Sequence, residues 1–557
     1  MTAMDTAMDT ANIVRHFRQI LIWPLQLDPL PASSGFQNHW EPLACAGDDC
    51  PWREVEDEFT ADPREFSERH YFEFVNFLPF VQRFLYGEGV SQQAGAAGRK
   101  SPIRTFRHRS IATAKLTLRP GGAPLELKVA HADLYFFHDI DIAILNLEIH
   151  ADDLPLEKAL ETLDGFRRAY PTCWDSSGEA TRCPARVEFL GRDGTTLGVS
   201  DYEKRDDYLS FVCRHRTPRV AAHWQALLRP LTMAHCTGEP THGSYKLIED
   251  DRIPAMTYLG FADPRLLSRG DFVRMAFGSR KGQLAGLPYG SRFLEDFEAR
   301  YCYDRYWDQT GNEAWMGARY LCTGAMFTLA GNASDPFFSN AETGLLGQFR
   351  HQFFLLGLIV HFHKAALLML SDRLSLAVNH LDPGNPGSVR AFQREVRHDL
   401  EIFLRFNHRY WFHEISNQLQ MRDLHRLWAT HLGTDALYSE VHREVHDINQ
   451  YLDSARAKKL ADIGVRLGVV ATFGFVGVFV TGFFGMNVFS FGEGPLEIRT
   501  LVFLLVLALA TGLTFYTISI SKPLANFLDA LSAERLSWAQ KFGALREIWR
   551  KPRGDKN

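Results

Sequence analysis

Residues 467–487 read LGVVATFGFVGVFVTGFFGMN, and this apolar stretch decides the fold of the C-terminal part of the chain. Residues 467–484 carry no charged side chain, and residues 500–521 form a second uncharged run. As α-helices of about 18 and 22 residues, the two runs would span about 27–33 Å, close to the thickness of the bilayer hydrocarbon layer. The sequence therefore predicts two transmembrane helices joined by a short loop at residues 485–499.

The residue that ends the stretch, Asn487, is placed to contact an ion. Two helices cannot enclose a water-filled pore, so a conducting hairpin has to assemble as a symmetric ring of copies. Asn487 would then recur around the axis at the C-terminal end of the first helix, where unpaired carbonyls carry partial negative charge. Mg²⁺ releases its water reluctantly, and neutral amide oxygens can contact its hydration shell without trapping it. This position predicts a site for a divalent cation.

The same residues carry a family resemblance. The stretch Thr481-Gly-Phe-Phe-Gly-Met-Asn487 resembles the signature of the CorA family of magnesium and other divalent-cation transporters, an aromatic residue followed by Gly-Met-Asn. The resemblance covers about the last 120 residues, and before them only the general plan is similar, a large soluble domain joined to a long stalk helix. It implies that Gly485, Met486 and Asn487 form a selectivity filter in a homo-oligomeric funnel, a pentamer in this family. The implied function is the transport of a divalent cation, with Mg²⁺ as the expected ion.

The family's spacing also implies which residues of the first membrane helix line the pore. Counting back from Asn487 gives six positions, Gly464, Leu467, Ala471, Phe475, Val478 and Gly482. Family members commonly place hydroxyl or thioether groups at some of these levels, so Phe475 and Val478 are departures. They would either form an apolar gate or pack between helices.

The external loop departs from the family as well. The Met-Pro-Glu-Leu that usually follows the signature is absent, although Glu493 falls at the position of its glutamate. Glu493 and Glu497 would attract cations to the mouth of the pore through their charge. The alternative is that both glutamates belong to an ordinary solvated turn with no role in transport.

Flanking charges predict the orientation in the membrane. Four basic residues lie in 456–466 and six in 522–551, whereas the loop 488–499 holds one arginine and two glutamates. By the positive-inside rule, both termini are cytoplasmic in a multi-pass protein of the cell membrane, that is, the inner or plasma membrane. The first residues show no basic region followed by an apolar one, so no signal peptide is expected.

The rest of the chain is expected to be mostly soluble. It has 557 residues, 23% of them charged, with a net charge of −5, and no long basic block suggests a nucleic-acid partner. The predicted class is an α+β membrane protein with a disordered tail at 1–12, an α/β domain at 13–290 and a helical region at 291–433. No glycine-rich phosphate loop and no nucleophile elbow is seen, so we expect neither an enzyme nor a bound cofactor.

A stalk helix is predicted over 434–484, because the sequence from Asp435 to Phe484 contains no proline. Its histidines His442 and His446 lie one turn apart, a spacing by which two imidazoles can share a Zn²⁺ ion, although a solvated helical face often produces the same interval. Phe353 to Leu370 resembles a third membrane span, but His361, His363 and Lys364 favour a buried helix instead. The segment 522–557 has an apolar stripe among basic residues, as in a helix on the inner membrane surface or against the stalks.

Three functions remain open on this basis. The first is a magnesium channel or transporter in contact with membrane lipid and with other copies of itself. The second is a zinc or other transition-metal transporter of the same superfamily. The third is a non-conducting membrane-anchored sensor or scaffold, which the apolar character of the implied pore face favours.

Overall fold

A computed structural model describes residues 13–30, 35–45, 47, 50–55, 68–88, 101–235, 243–280, 289–382, 385–485, 495–498, 500–502, 504–506, 508–509, 511–512 and 516. The predicted tail 1–12 and the predicted segment 522–557 lie outside these residues. The chain divides into two compact units, Met1–Glu444 and Val445–Asn557, and each is considered by itself.

A large sheet of fourteen strands organises the first unit. The strands are β1 Ile13–Leu27, β2 Trp52–Glu54, β3 Ile103–His108, β4 Ile111–Thr117, β5 Leu125–Phe137, β6 Ile140–Pro155, β7 Arg186–Gly191, β8 Thr196–Val199, β9 Thr232–Met233, β10 Ser244–Leu247, β11 Ala255–Phe261, β12 Cys302–Trp307, β13 Gly317–Cys322 and β14 Met326–Asn332. Their order is β12-β13-β14-β11-β1-β6-β5-β4-β7-β8, while β3 pairs with β2 and β5, and β10 pairs with β1 and β9. The pairs β11–β14 and β9–β10 are parallel, and the other pairs between these strands are antiparallel.

Helices complete the described part of the chain. They are α1 Glu41–Cys45, α2 Glu68–Val75, α3 Pro79–Tyr86, α4 Leu156–Gly165, α5 Arg205–His215, α6 Ala222–Leu228, α7 Arg269–Phe277, α8 Ser291–Tyr301, α9 Pro336–Ser339, α10 Leu345–Arg350, α11 Gln352–Asn379, α12 Pro386–Arg409, α13 Leu419–Leu432 and α14 Thr434–Gly485. The first unit therefore mixes helices and strands around a largely antiparallel sheet.

Helices cover both faces of the central strand β1. Successive side chains of a strand point to opposite faces. Trp23 contacts Trp224 of α6, with ring centroids 5.6 Å apart. On the other face, a Cβ added at Gly357 of α11 would lie 3.0 Å from Ile22 and 2.8 Å from Trp428 of α13. Because both of its faces are covered, β1 is buried along most of its length.

Helix α11 is the core helix on the second of these faces. The helical stretch Leu345–Asn379 is, in the part of the chain that the structure describes, the one long and apolar enough to cross a membrane, but 83% of its most apolar window is buried inside the chain. His361 and His363 are buried, and burial lowers the pKa of both to about 3, so both are neutral at pH 7. Lys364 Nζ lies 2.6 Å from Glu249 Oε1. The prediction of a buried helix over Phe353–Leu370 is confirmed.

The prediction of a helical region over 291–433 is wrong where three strands occur, β12 at Cys302–Trp307, β13 at Gly317–Cys322 and β14 at Met326–Asn332. Every residue of β13 and β14 is buried. Strands that are buried on both faces lack the two-residue alternation of apolar and polar side chains that identifies a strand. Short apolar runs of this kind cannot be told from helical segments by periodicity.

The long helix α14 begins where α13 ends, at a glycine. Gly433 has a φ of 68°, in the left-handed region that glycine adopts without steric cost, and its N–H donates to the carbonyls of Ala429 and Thr430. Helix α14 then runs for 52 residues, from Thr434 to Gly485. The helix predicted over 434–484 is confirmed, and it continues for one further residue.

Candidate functional site

The predicted selectivity filter falls at the C-terminal end of α14. Gly485 is the last residue of that helix. Met486, Asn487 and Glu493 lie outside the residues that the structure describes. The selectivity filter and the role of Glu493 in attracting cations therefore stay predictions. Glu497 lies in a helical turn at residues 496–498 and is exposed.

The six predicted pore-lining positions all lie on α14, and all six are exposed. Of the larger side chains, Leu467 is 68% exposed, Phe475 74% and Val478 70%. Exposed fractions of this size are high for large apolar side chains. We call the set Gly464, Leu467, Ala471, Phe475, Val478 and Gly482 the apolar stripe. The described part of the chain leaves this stripe uncovered.

Glycines on α14 leave room for another helix or for lipid. A Cβ added at Gly464, Gly474, Gly477, Gly482 or Gly485 would meet no atom within 4 Å. Glycine at a helix surface allows a second backbone to approach closely. Thr481 satisfies its own hydroxyl within the helix, because Oγ1 donates to the carbonyls of Gly477 and Val478 at 3.0 Å. Close packing from outside the chain is therefore sterically possible along this helix.

The predicted second membrane span, residues 500–521, is described in part. Its described residues are helical. Four of its leucines, Leu501, Leu504, Leu505 and Leu509, are each 59–67% exposed. The second unit thus presents apolar side chains from both predicted spans.

The two stalk histidines have different surroundings. The His442 ring centroid lies 6.1 Å from that of Phe403 on α12 and 5.9 Å from that of Tyr438. His446 is exposed. No group of three or more His, Cys, Asp or Glu residues able to hold a metal ion occurs among the residues with described positions. The zinc pair stays a prediction that this arrangement does not test.

A cluster that the sequence did not predict lies around Glu148 of β6. The Glu148 side chain is 1% exposed and accepts hydrogen bonds from two arginines. Arg18 Nη1 of β1 donates to Oε1 at 2.6 Å, and Arg350 of α10 donates from Nε at 2.9 Å and from Nη2 to Oε2 at 3.3 Å. This carboxylate therefore joins β1, β6 and α10.

A second buried carboxylate extends the cluster onto the neighbouring strands. Asp133 of β5 is also 1% exposed, and Arg107 of β3 donates to both of its oxygens at 2.7 and 3.0 Å. The His131 ring lies between the two acids, with Nδ1 3.5 Å from Glu148 Oε2 and Nε2 3.6 Å from Asp133 Oδ2. We call Arg18, Arg107, His131, Asp133, Glu148 and Arg350 the ion network.

The electrostatics of the ion network favour an ionised Glu148 and a neutral His131. Burial alone would raise the pKa of Glu148, but nearby positive charges, among them those of Arg350 and Arg18, outweigh it and lower that pKa. Burial lowers the pKa of His131 against the attraction of Asp133 and Glu148. The arginines already occupy the carboxylate oxygens, which leaves none free to bind a cation. The ion network therefore serves to hold α10 and the strands β1, β3, β5 and β6 together.

Comparisons of the chain with models of protein families, with curated proteins and with solved structures find no match.

We predict that Glu148→Gln destabilises the protein by about 1.5–3 kcal/mol, because the amide weakens charge-assisted hydrogen bonds to two partly buried guanidinium groups. The measurement is urea-induced unfolding of the full chain in detergent micelles, followed by tryptophan fluorescence. The matched control is Asp153→Asn, which breaks the exposed Arg15–Asp153 pair and should cost under about 1 kcal/mol. Equal losses in the two variants would show that the ion network is not a major source of stability.

Proposed function

We propose that the chain is one subunit of an oligomeric channel or transporter for divalent cations, similar to the CorA family, with Mg²⁺ as the expected ion. One observation carries the proposal. The Gly-Met-Asn sequence begins at the last residue of an uninterrupted helix, Thr434–Gly485, whose final third is uncharged and apolar. A second apolar run follows after a short loop.

The exposure of the apolar stripe supports assembly into a ring. Large apolar side chains such as Phe475 and Val478 are stabilised when they leave water, by about 25 cal/mol for each Å² that is buried. Lipid covers the outside of a membrane helix, and other copies of the same helix cover the side that faces the axis. In the proposed assembly the stripe faces that axis, and residues 500–521 face lipid. The number of copies, five, rests on the family resemblance alone.

In the proposed mechanism a hydrated cation meets the ring of Asn487 side chains first. Amide oxygens replace water contacts in the second hydration shell, and the carbonyls at the end of α14 add partial negative charge. Gly485 and Met486 hold the asparagines in place. Glu493 and Glu497 raise the local cation concentration at the external mouth.

A constriction at Phe475 and Val478 is part of the proposal. These residues lie about one turn apart, so their rings would form a narrow apolar passage, from which water withdraws and which an ion enters only at a cost of several kcal/mol. The high exposure of Phe475 supports this role against packing inside its own chain. Packing against a neighbouring copy is the alternative.

The proposed location is the cell membrane, with both termini in the cytoplasm. The placement of basic residues around the two apolar runs supports this orientation. The first unit, with its sheet and ion network, would then lie in the cytoplasm.

One observation favours a second candidate, a non-conducting membrane-anchored sensor or scaffold. The apolar stripe carries no hydroxyl, thioether or carboxylate group that would stabilise an ion in transit. A zinc or other transition-metal transporter of the same superfamily is the other alternative.

Replacing Asn487 with alanine tests the selectivity role. Asn487→Ala removes the amide oxygens, so we expect selective Mg²⁺ uptake into vesicles to be lost while the oligomer stays assembled. The matched control is Asn449→Ala, which makes the same change at an exposed position of α14 far from the signature. Normal uptake by an assembled Asn487→Ala protein would exclude the filter and favour the sensor or scaffold.

A second substitution tests the constriction. Phe475→Ser should raise the resting cation flux, because a hydroxyl lowers the cost of wetting the passage. Phe473→Ser, two residues away and on another face of the helix, should leave the resting flux unchanged. Unchanged or lower flux in a correctly assembled Phe475→Ser protein would assign Phe475 to packing.

A further inference from the structure

The side chain of Arg69, in the first turn of α2, is hydrogen-bonded to two histidines rather than to an acid. Its Nη1 atom lies 3.2 Å from Nε2 of His351, the residue between α10 and α11, and its Nη2 atom lies 2.9 Å from His70 Nε2. Its third nitrogen, Nε, is buried and has no hydrogen-bond partner within the described residues. We call Arg69, His70 and His351 the arginine–histidine cluster.

The charge of Arg69 fixes the protonation of both imidazole rings. A guanidinium group has five N–H donors and no acceptor, and it stays charged at all relevant pH values. Each histidine must therefore accept at Nε2 and carry its ring proton on Nδ1. His351 Nδ1 lies 3.2 Å from Glu73 Oε2, so its proton is directed towards a carboxylate. Both histidines are neutral in this arrangement.

Glu73 of α2 is the acid in contact with the cluster. Burial alone would raise the pKa of Glu73, but hydrogen bonds from His351 and Tyr86 outweigh it and lower that pKa. Glu73 is therefore ionised near neutral pH. The other titratable or charged groups around the cluster are the exposed Glu68 that begins α2, Tyr86 of α3, whose hydroxyl donates to Glu73 Oε1 at 2.7 Å, Arg350 of α10, which is bonded within the ion network, and Tyr135 of β5, whose pKa burial raises well above its usual value.

Protonation of either histidine removes an acceptor that holds Arg69. An imidazolium ring is a donor at both nitrogens, so a proton on Nε2 breaks the bond to the guanidinium and brings two positive charges together. With both histidines protonated, three cations would share the single charge of Glu73. The contact between His351 and Glu73 persists, because the Nδ1 proton is present in both states. The contacts of Arg69 are therefore the ones that depend on pH.

We propose that the arginine–histidine cluster is a pH-sensitive contact, which holds the first turn of α2 at the junction of α10 and α11 while the histidines are neutral and releases it when they are protonated. Helix α2 has no buried residue, so apolar packing fixes it only weakly. Histidine ordinarily changes its charge between about pH 5 and 8, so mild acidification is sufficient. The inference concerns the first unit alone and does not depend on transport.

The test is hydrogen–deuterium exchange of the full chain in detergent micelles at about pH 7.5 and about pH 5.5, corrected for the effect of pH on chemical exchange. In the wild type, the protection of the α2 backbone amides should fall severalfold at the lower pH. The double variant His70→Gln/His351→Gln keeps a donor and an acceptor at each position but does not titrate, so its protection should be the same at both pH values.

The matched control is His398→Gln, at an exposed position of α12, and it should keep the wild-type response. Equal corrected protection of α2 in the wild type at both pH values would overturn the proposal. A fall that persists in the double variant would also overturn it, because another group would then be responsible.

A direct measurement reports the ring protons. In nitrogen-15 NMR spectra of the reconstituted protein with labelled histidine, the signals of His351 are those that His351→Gln lacks. We expect one proton, on Nδ1, at the higher pH and protons on both nitrogens at the lower pH. Arg69→Ala removes a neighbouring positive charge, so the midpoint of His351 protonation should rise by about 1 pH unit. A proton on Nε2 at the higher pH, or a midpoint that Arg69→Ala does not raise, would contradict the proposed contact.

Discussion

The apolar side chains on α14 have to be removed from water, and the functional account follows from that requirement. Leu467, Phe475 and Val478 are each more than two-thirds exposed in the described chain. In water this surface would promote association with any apolar partner. In the proposed assembly a bilayer and further copies of the same helix would cover this surface, and a ring of copies would also let a two-helix hairpin surround an ion.

The first unit obeys a different constraint, the need to pair charges that the sheet buries. Glu148 and Asp133 lie on adjacent strands and are almost fully enclosed, yet three arginines satisfy them. Asp399 shows the opposite case, a buried carboxyl whose Oδ2 atom has no hydrogen-bond partner within the described residues. The paired charges around Glu148 and Asp133 therefore join β1, β3, β5, β6 and α10.

Sequence reasoning succeeded where the signal was local. The absence of proline after Gly433 predicted α14, and the polar residues His361, His363 and Lys364 identified α11 as a core helix rather than a membrane span. It failed for β13 and β14, because strands buried on both faces lose the alternation that marks them. It also missed the ion network, since Arg18 and Arg350 lie 130 and 202 positions from Glu148. A signal for the network was present in the sequence. Polar residues recur two positions apart within mainly apolar strands, as His131 and Asp133 in β5 and as Asn146 and Glu148 in β6.

The central claim is that this chain alone forms a path for divalent cations. The most direct test is ion flux into vesicles that contain only the purified protein, compared for Mg²⁺, Zn²⁺, Co²⁺ and Ni²⁺ against vesicles without protein. The account predicts saturable entry of Mg²⁺ down its gradient, and preferential entry of Zn²⁺ would instead identify a transition-metal transporter. Vesicles that hold assembled oligomers and admit none of the four ions would contradict the claim.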